Sequence, residues 1–189
     1  MIRWGRVIAT MGTAVMLAAT MLAGSAAAQP RAAAPPEIQL TESQKKELQA
    51  EVDKHLKDYG GGKQIGINEI AYEDGAMILT LPLPGEAKAR SVNEPVTPLG
   101  TANCSYEYAC LWSDTNFNGS RLSRWACGTV TLGSPFNSTV GSIHNNQTTG
   151  TQTVLLNSAR QVLNASMAPS RISDTGVGSR WSARYWVVC

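Results

Sequence analysis

The chain is short of the side chains on which most enzymatic chemistry depends. It has only two histidines, His55 and His144. Beyond residue 102 its acidic residues are Glu107, Asp114 and Asp174. A catalytic nucleophile needs a base and an orienting group, and a glycosidase needs a pair of carboxylates. No glycine-rich phosphate loop occurs either, so the sequence predicts a protein that is not an enzyme. We interpret His144, which is followed by two asparagines, as a solvated turn residue.

Charge of one sign and long apolar runs are also scarce after the N-terminus. Without Arg3 and Arg6 the chain has 14 basic and 14 acidic residues. This balance offers no electrostatic basis for binding nucleic acid or an anionic membrane. No later apolar run approaches the roughly 20 residues that a spanning helix needs. We therefore expect neither a nucleic-acid partner nor stable membrane insertion, and the oligomeric state stays open.

Residues 1–28 have the features of a secretory signal peptide. Arg3 and Arg6 precede an apolar stretch at residues 7–24, and three alanines at residues 26–28 fit a cleavage site. An N-terminal membrane anchor is the alternative. Cleavage before Gln29 predicts a secreted, extracellular protein.

All four cysteines lie in the part that would be exported. They are Cys104, Cys110, Cys127 and Cys189. An even number of cysteines in an exported chain predicts two disulfides. With so few histidines and no Cys-x-x-Cys pair, a zinc site is not expected, and we predict neither a metal nor a cofactor.

The exported chain divides into regions of different composition. Residues 29–40 are predicted to be a disordered lead, residues 41–83 a helix followed by a β-hairpin, and residues 84–103 a linker rich in proline and glycine. Residues 104–189 show short apolar segments between turns, which predicts a mainly β, Greek-key sandwich. Proteolysis would make residues 29–103 a propeptide, and an ordinary domain linker at residues 84–103 is the simpler alternative.

The helix prediction rests on a capping signal and an apolar stripe. Thr41 and Gln44 fit a capping box. Apolar residues recur every three to four positions at Leu48, Val52, Leu56 and Tyr59, and glycines at residues 60–62 end the helix. Asp74-Gly75, between two apolar segments, predicts the hairpin turn. So small a unit is expected to pack on the second region or on a partner.

Two aromatic residues and a glycine form the most distinctive motif of the β region. Trp112 and Phe117 are five residues apart, so in one strand they would point to opposite faces. They can meet only if the chain folds back through residues 113–116, which are rich in turn-forming side chains. Gly119 can adopt a positive φ without a Cβ clash. We also expect Trp112, Trp125, Trp181 and Trp186 to supply much of the buried area.

This motif resembles the βγ-crystallin Greek key, in which two aromatics with four residues between them are followed, after one more residue, by glycine. The resemblance implies that the first hairpin folds onto the sheet, with Trp112 and Phe117 packed at the fold. It also implies that a later serine fastens the hairpin by hydrogen bonds, with Ser138 and Ser142 as candidates. The calcium-binding pattern of such motifs is largely missing at residues 137–142, which disfavours calcium binding.

Residues 104–119 resemble the opening of secreted actinobacterial proteins of peptidase inhibitor family I36, which are crystallin-like. They share the two cysteines with five residues between them, the aromatic and glycine motif and the alanine-rich signal. The resemblance is clear over residues 104–122 and weaker to about residue 157. The founding member inhibits thermolysin-type metalloproteinases. The resemblance therefore implies a non-enzymatic inhibitor with an extracellular protease as partner.

The resemblance also implies which residues would make up the site. It pairs Cys104 with Cys110 and leaves Cys127 for Cys189, one of three pairings that four cysteines allow. The loop that the first pair closes is the candidate protease contact, and its residues are Ser105, Tyr106, Glu107, Tyr108 and Ala109. Alternatively, the tyrosines only cover Trp112. The reactive bond of the founding inhibitor lies in a second short cysteine-closed loop, which this chain lacks, so no reactive bond is assigned. The alternative function is an extracellular structural or surface-binding module without a protease target.

Overall fold

The computed structural model describes residues 39–178 and 182–189. The predicted signal peptide and most of the predicted disordered lead lie outside these residues. One helix, α1 (Glu42–Tyr59), precedes all the strands. The strands are β1 (Lys63–Gly66), β2 (Glu69–Tyr72), β3 (Met77–Thr80), β4 (Ala109–Trp112), β5 (Arg121–Arg124), β6 (Gly128–Thr131), β7 (Ser142–Asn145), β8 (Gln152–Leu156), β9 (Val162–Met167), β10 (Ser170–Ile172) and β11 (Tyr185–Val188). Within the described residues, no helix has the length and apolar character to cross a membrane.

Helix α1 forms where the sequence predicts it. The Thr41 side chain accepts a hydrogen bond from the backbone N–H of Gln44, and the Gln44 side chain accepts one from the backbone of Thr41. This reciprocal pair satisfies two donors that a helix start leaves free. Gly60, with a φ of 58°, ends the helix. Leu48 and Val52 of the apolar stripe are buried in the main core.

The strands form two antiparallel sheets, which confirms the prediction of a mainly β fold with a preceding helix. The larger sheet has the order β1-β2-β3-β5-β4-β7-β10, and the smaller has the order β6-β11-β8-β9. Their shared core contains Leu111, Ile143, Leu155 and Trp186. Burying such side chains between two sheets stabilises a sandwich by the hydrophobic effect.

Each half of the sandwich gives one strand to the other sheet. Of β4–β7, only the third strand, β6, lies in the smaller sheet, where it pairs with β11. Of β8–β11, the third strand, β10, lies in the larger sheet, where it pairs with β7. The relation to crystallins stays a prediction, which this reciprocal exchange supports.

The N-terminal unit is part of the larger sheet. It contains three strands where the sequence suggested a two-stranded hairpin, because the chain also turns at Ile67 and Asn68 between β1 and β2. The buried Asn68 amide holds this turn by donating to the carbonyl oxygens of Leu81 (2.6 Å) and Arg90 (2.8 Å). Strand β3 then pairs with β5 along its full length. The predicted packing of this unit on the second region therefore takes the form of a continuous β-ladder.

Residues 84–103 are fastened to the same sheet. The backbone N–H of Ala89 donates to Gly119 O (3.0 Å), and Gly119 N–H donates to Ala87 O (2.7 Å). Glu94 binds the guanidinium of the buried Arg121, with the closest contact at 3.0 Å. These contacts fix the segment at residues 87–89 and at Glu94 to the chain at Gly119 and Arg121. The boundaries proposed at residues 83 and 103 stay predictions.

The tryptophans do not all contribute to the core. Trp112 and Trp186 are fully buried, as expected. The expectation was wrong for Trp125, whose side chain is 53% exposed because β5 ends at Arg124 and the chain turns outward there. Trp181 lies outside the described residues.

Candidate functional site

The aromatic motif forms a folded corner at the end of β4. A short 3₁₀ turn at Thr115–Phe117 reverses the chain, with Asn116 and Phe117 at positive φ. The Phe117 ring therefore returns to Trp112, where the two ring centres are 5.2 Å apart in an edge-to-face arrangement. Such pairs add favourable electrostatics to their burial. The corner packs against Cys104 and Cys110, next to the candidate loop.

Of the two candidate serines, Ser142 fastens the corner. Its hydroxyl accepts a hydrogen bond from Phe117 N–H (2.8 Å) and donates to Asp114 O (2.6 Å). Ser138 instead donates to Pro135 O (2.8 Å) within its own exposed turn. Since Ser142 begins β7, its two bonds tie the folded hairpin to the neighbouring strand.

Two glycines allow the corner to pack closely. At Gly119, with a φ of +74°, a Cβ would lie 2.0 Å from Ser113 Oγ. At Gly141, which sequence reasoning did not single out, a Cβ would lie 2.0 Å from the backbone carbon of Asp114. The position of Gly141 directly before Ser142 was the available signal, because the residue beside a fastening serine must pass close to the hairpin it fastens.

Both disulfides join the predicted partners, so the pairing is confirmed. Cys104 bonds to Cys110, and Cys127 bonds to Cys189. The first closes the candidate loop at the start of β4. The second links the segment before β6 to the residue after β11, at the end of a pair of hydrogen-bonded strands.

The candidate loop offers three exposed residues and two that are less accessible. Ser105, Tyr106 and Glu107 are exposed, with the Tyr106 side chain 65% accessible. Tyr108 is half-buried against the cluster of Cys104, Cys110, Trp112 and Phe117. Ala109 is fully buried in β4, so its side chain is not accessible to another protein. The alternative interpretation, that the tyrosines cover Trp112, thus fits Tyr108 and not Tyr106.

The loop is held in a single tight turn. Tyr108 N–H donates to Ser105 O (3.2 Å), and Glu107 has a φ of 74°. Asn146, just after β7, fastens it from outside: its carbonyl accepts from Glu107 N–H (3.0 Å), and its backbone N–H donates to Tyr108 O (2.9 Å). The Asn146 amide also donates to Cys104 O (2.9 Å). A disulfide and four hydrogen bonds therefore fix the backbone of the turn.

His144 is not the solvated turn residue that the sequence suggested. It lies in β7, the next-to-last strand of the larger sheet, between β4 and β10, and is 3% exposed. Arg171 Nε donates to His144 Nε2 (3.3 Å). Burial, assisted by the positive charge of Arg171, lowers the pKa of His144 to about 4. The asparagines after it suggested a turn, but that turn begins only where β7 ends.

Acid should therefore destabilise the fold through His144. Because its folded pKa is depressed, the neutral ring contributes stability above pH 6.5, and this is lost as the pH falls toward 4. We expect a loss of the order of 2 kcal/mol in the free energy of unfolding over that window, measured by urea unfolding with the disulfides intact. His55 is also buried with a lowered pKa and acts in the same direction.

The variant His144→Gln separates this effect from other titrations. It keeps an acceptor for Arg171 and removes the titrating ring, so its stability should fall less between pH 6.5 and 4 than that of the wild type. His55→Gln is the matched control for the second buried histidine. Parallel curves for the wild type and His144→Gln would contradict the assignment.

A shallow groove lies beside the turn, and sequence reasoning missed most of its lining. Its volume is about 440 Å³. Its lining includes Glu107, Tyr108, Trp125, Gln147, Thr148 and Thr151. For Trp125, the available signal was its position directly after β5 and two residues before Cys127. A side chain beyond the end of a strand need not point into the core. Nothing local marks Gln147, Thr148 and Thr151, which follow Asn146 in the chain and line the groove beside the turn.

The described residues thus form a disulfide-linked β-sandwich that presents a rigid, exposed turn. Residues 97–156 match the model of peptidase inhibitor family I36. The match confirms the resemblance drawn from residues 104–119 and extends over the corner, the turn and most of the groove. It supports a peptidase-inhibitor role in general, and with the two disulfides it is consistent with an extracellular protein. Comparison with curated proteins and with solved structures found no match.

Proposed function

We propose that this protein is a secreted peptidase inhibitor, without enzymatic activity of its own, that contacts its target through the turn at residues 105–108. The observation that carries the proposal is the exposed Tyr106 on a turn that a disulfide and Asn146 hold rigid. Large aromatic side chains are frequent anchors of protein interfaces. The family match over residues 97–156, which include this turn, supports the choice of partner.

Rigidity favours inhibition because binding then orders little of the chain. A flexible loop would lose backbone and side-chain freedom on entering a cleft, and this loss would subtract from the affinity. Here the Cys104–Cys110 bridge spans six positions and encloses the whole turn. The bridge also packs against Trp112 and Phe117 of the folded corner in one buried cluster.

The turn geometry also bears on the mode of inhibition. The hydrogen bond from Tyr108 to Ser105 and the positive φ of Glu107 define a tight reversal of the chain. A cleft that aligns extended substrate backbone cannot align this segment in the same way. We therefore propose that the turn blocks the cleft through its side chains and stays uncut.

A metalloproteinase is the target class that the proposal favours. Glu107 presents a carboxylate at the apex of the turn, and none of the ion pairs in the described part of the chain involves it. An anionic group beside an aromatic anchor favours a peptidase that has positive charge in or beside its cleft, and a metal ion supplies such charge. The thermolysin-type target of the founding family member agrees with this choice.

The direct test is titration of the oxidised chain against a thermolysin-type metalloproteinase, with subtilisin and trypsin in parallel. Residual activity on a small substrate should fall stoichiometrically for one enzyme, and a gel should show the inhibitor chain intact. Loss of activity accompanied by digestion of the chain would mean simple competition by a substrate. No inhibition at micromolar excess of any enzyme would favour the structural or surface-binding alternative.

Tyr106→Ala should weaken inhibition by about 30-fold, the loss expected when an exposed aromatic anchor of about 2 kcal/mol is removed. Tyr106→Phe is the matched control, since it keeps the ring and should retain most of the affinity. Inhibition constants for both variants, with thermal melting to verify folding, measure the effect. Equal inhibition by Tyr106→Ala and the wild type would remove the turn from the contact.

A further inference from the structure

The groove beside the turn is unusually rich in hydrogen-bond acceptors and aromatic surface. Glu107 contributes a carboxylate, Thr148 and Thr151 contribute polar groups, and the rings of Tyr108 and Trp125 line its sides. No lysine or arginine of the described residues lines it. Its volume of about 440 Å³ is within the range of small-ligand sites.

Trp125 is exposed but held in one orientation. Its indole N–H donates to Gly75 O and its backbone N–H to Ala76 O, both at 3.3 Å. The preceding Arg124 is fixed by an ion pair with Glu73 (2.6 Å). An ordered tryptophan face that solvent reaches attracts cations through its ring quadrupole, and tryptophan does this best among the aromatic side chains.

Gln147 lies beside the groove and has one buried polar atom without a partner among the described residues. Its side chain lines the groove and is 6% exposed, and its Oε1 has no hydrogen-bond partner in the described part of the chain. Its other amide atom, Nε2, lies 3.5 Å from Cys189 Sγ. Because Oε1 also has almost no accessible surface, it could accept a hydrogen bond from a bound group only after the Gln147 side chain turns toward the groove.

The walls of the groove are cross-linked on both sides. Glu107 and Tyr108 belong to the loop closed by Cys104 and Cys110. Trp125 is two residues before Cys127, whose disulfide partner Cys189 also lines the groove. The segments that carry the aromatic and carboxylate groups are therefore preorganised, which lowers the ordering cost of binding.

From these groups we infer that the groove binds a basic side chain, arginine or lysine, on the rim of the partner peptidase. The cation would lie against the Trp125 ring and pair with the Glu107 carboxylate. The contact surface is then composite: the turn enters the cleft, and the groove receives a residue beside it. The identity of the partner rests on the proposed inhibitor function, whereas the preference of the groove for a cation does not.

The groove can be tested without any peptidase. N-acetylarginine amide is titrated into the oxidised protein while the indole N–H resonance of Trp125, assigned with Trp125→Phe, is followed by NMR. We expect a saturable shift in the millimolar range, and a shift at least about fivefold weaker with N-acetylcitrulline amide, which has the same length but no charge. Glu107→Gln should weaken the arginine response to a similar extent. No shift, or equal responses to the two probes, would overturn the inference.

The inhibited peptidase provides the second readout. Trp125→Ala and Glu107→Gln should each raise the inhibition constant by about 10-fold or more, and added salt should reduce the difference for Glu107→Gln. Val162→Ala, an exposed apolar position on β9, is the control and should leave inhibition unchanged. Because Glu107 is exposed, Glu107→Gln should fold normally. It therefore tests the groove even if Trp125→Ala misfolds. Unchanged inhibition by both groove variants would overturn the composite surface.

The same experiments distinguish this inference from the inhibitor function. If the wild type inhibits no peptidase, the proposed function fails, and the arginine titration still decides whether the groove prefers a cation. Retention on insoluble cell-wall glycan that Trp125→Ala abolishes, without an arginine response, would show that the groove stacks sugar rings and would overturn the inference.

Discussion

Gly141→Ala is expected to lower the free energy of unfolding by at least about 3 kcal/mol. The new Cβ would lie 2.0 Å from the Asp114 carbonyl carbon and 2.3 Å from Thr115 N, and both are backbone atoms. A flexible side chain could move aside, but this backbone is fixed by the bonds of Ser142 to Asp114 and Phe117. The clash can be relieved only if the folded corner moves away from β7.

The measurement is urea unfolding of the oxidised protein, followed by tryptophan fluorescence. Gly178→Ala is the matched control, because a Cβ there meets nothing within 4 Å and its φ is not in the left-handed region. The control isolates steric overlap from the general effect of replacing glycine. Equal stability of the two variants would mean that the corner does not depend on the close approach at Gly141.

Removing the Cys127–Cys189 disulfide should cost about 4 kcal/mol. The bridge closes a loop of 62 positions, and the chain-entropy model assigns about that stabilisation to a loop of this length. The native contacts of β11 with β6 and β8 would remain, so the effect acts chiefly on the unfolded chain. Serine suits both positions, since both cysteines are exposed.

The comparison is a double variant, Cys127→Ser with Cys189→Ser, against Cys104→Ala with Cys110→Ala. The short bridge spans six positions and is worth about 2 kcal/mol in the same model. Urea unfolding should therefore rank the long bridge as the larger loss. The reverse ranking would indicate that packing of the buried pair beside Trp112, rather than loop closure, dominates.

Features fixed by neighbouring residues were predictable from the sequence. Thr41 and Gln44 mark the start of α1 because a capping box is complete within one turn. The folding back between Trp112 and Phe117 follows from their spacing and from the turn residues between them, and the family resemblance supplied the disulfide partners.

Features that depend on distant pairing were not predictable in the same way. Strand β3 has an apolar pattern that fits either an edge or an interior strand, and only its neighbour β5 places it inside the sheet. His144 lies in a strand that is flanked by β4 and β10, which the asparagines beside it do not reveal. The groove joins Glu107, Trp125 and Gln147 from three separate segments, so no local pattern could indicate it.

The β3–β5 ladder joins the N-terminal unit to the rest of the protein by backbone hydrogen bonds. The loop around Val96 and Leu99 is highly exposed, whereas the chain on either side is fastened at Ala89 and Asn103. A single peptide-bond break in that loop would leave two fragments joined by a full strand pairing and by the buried face of α1. The nicked molecule would behave as a complex of two chains, in which the first fragment completes the sheet of the second without a covalent link.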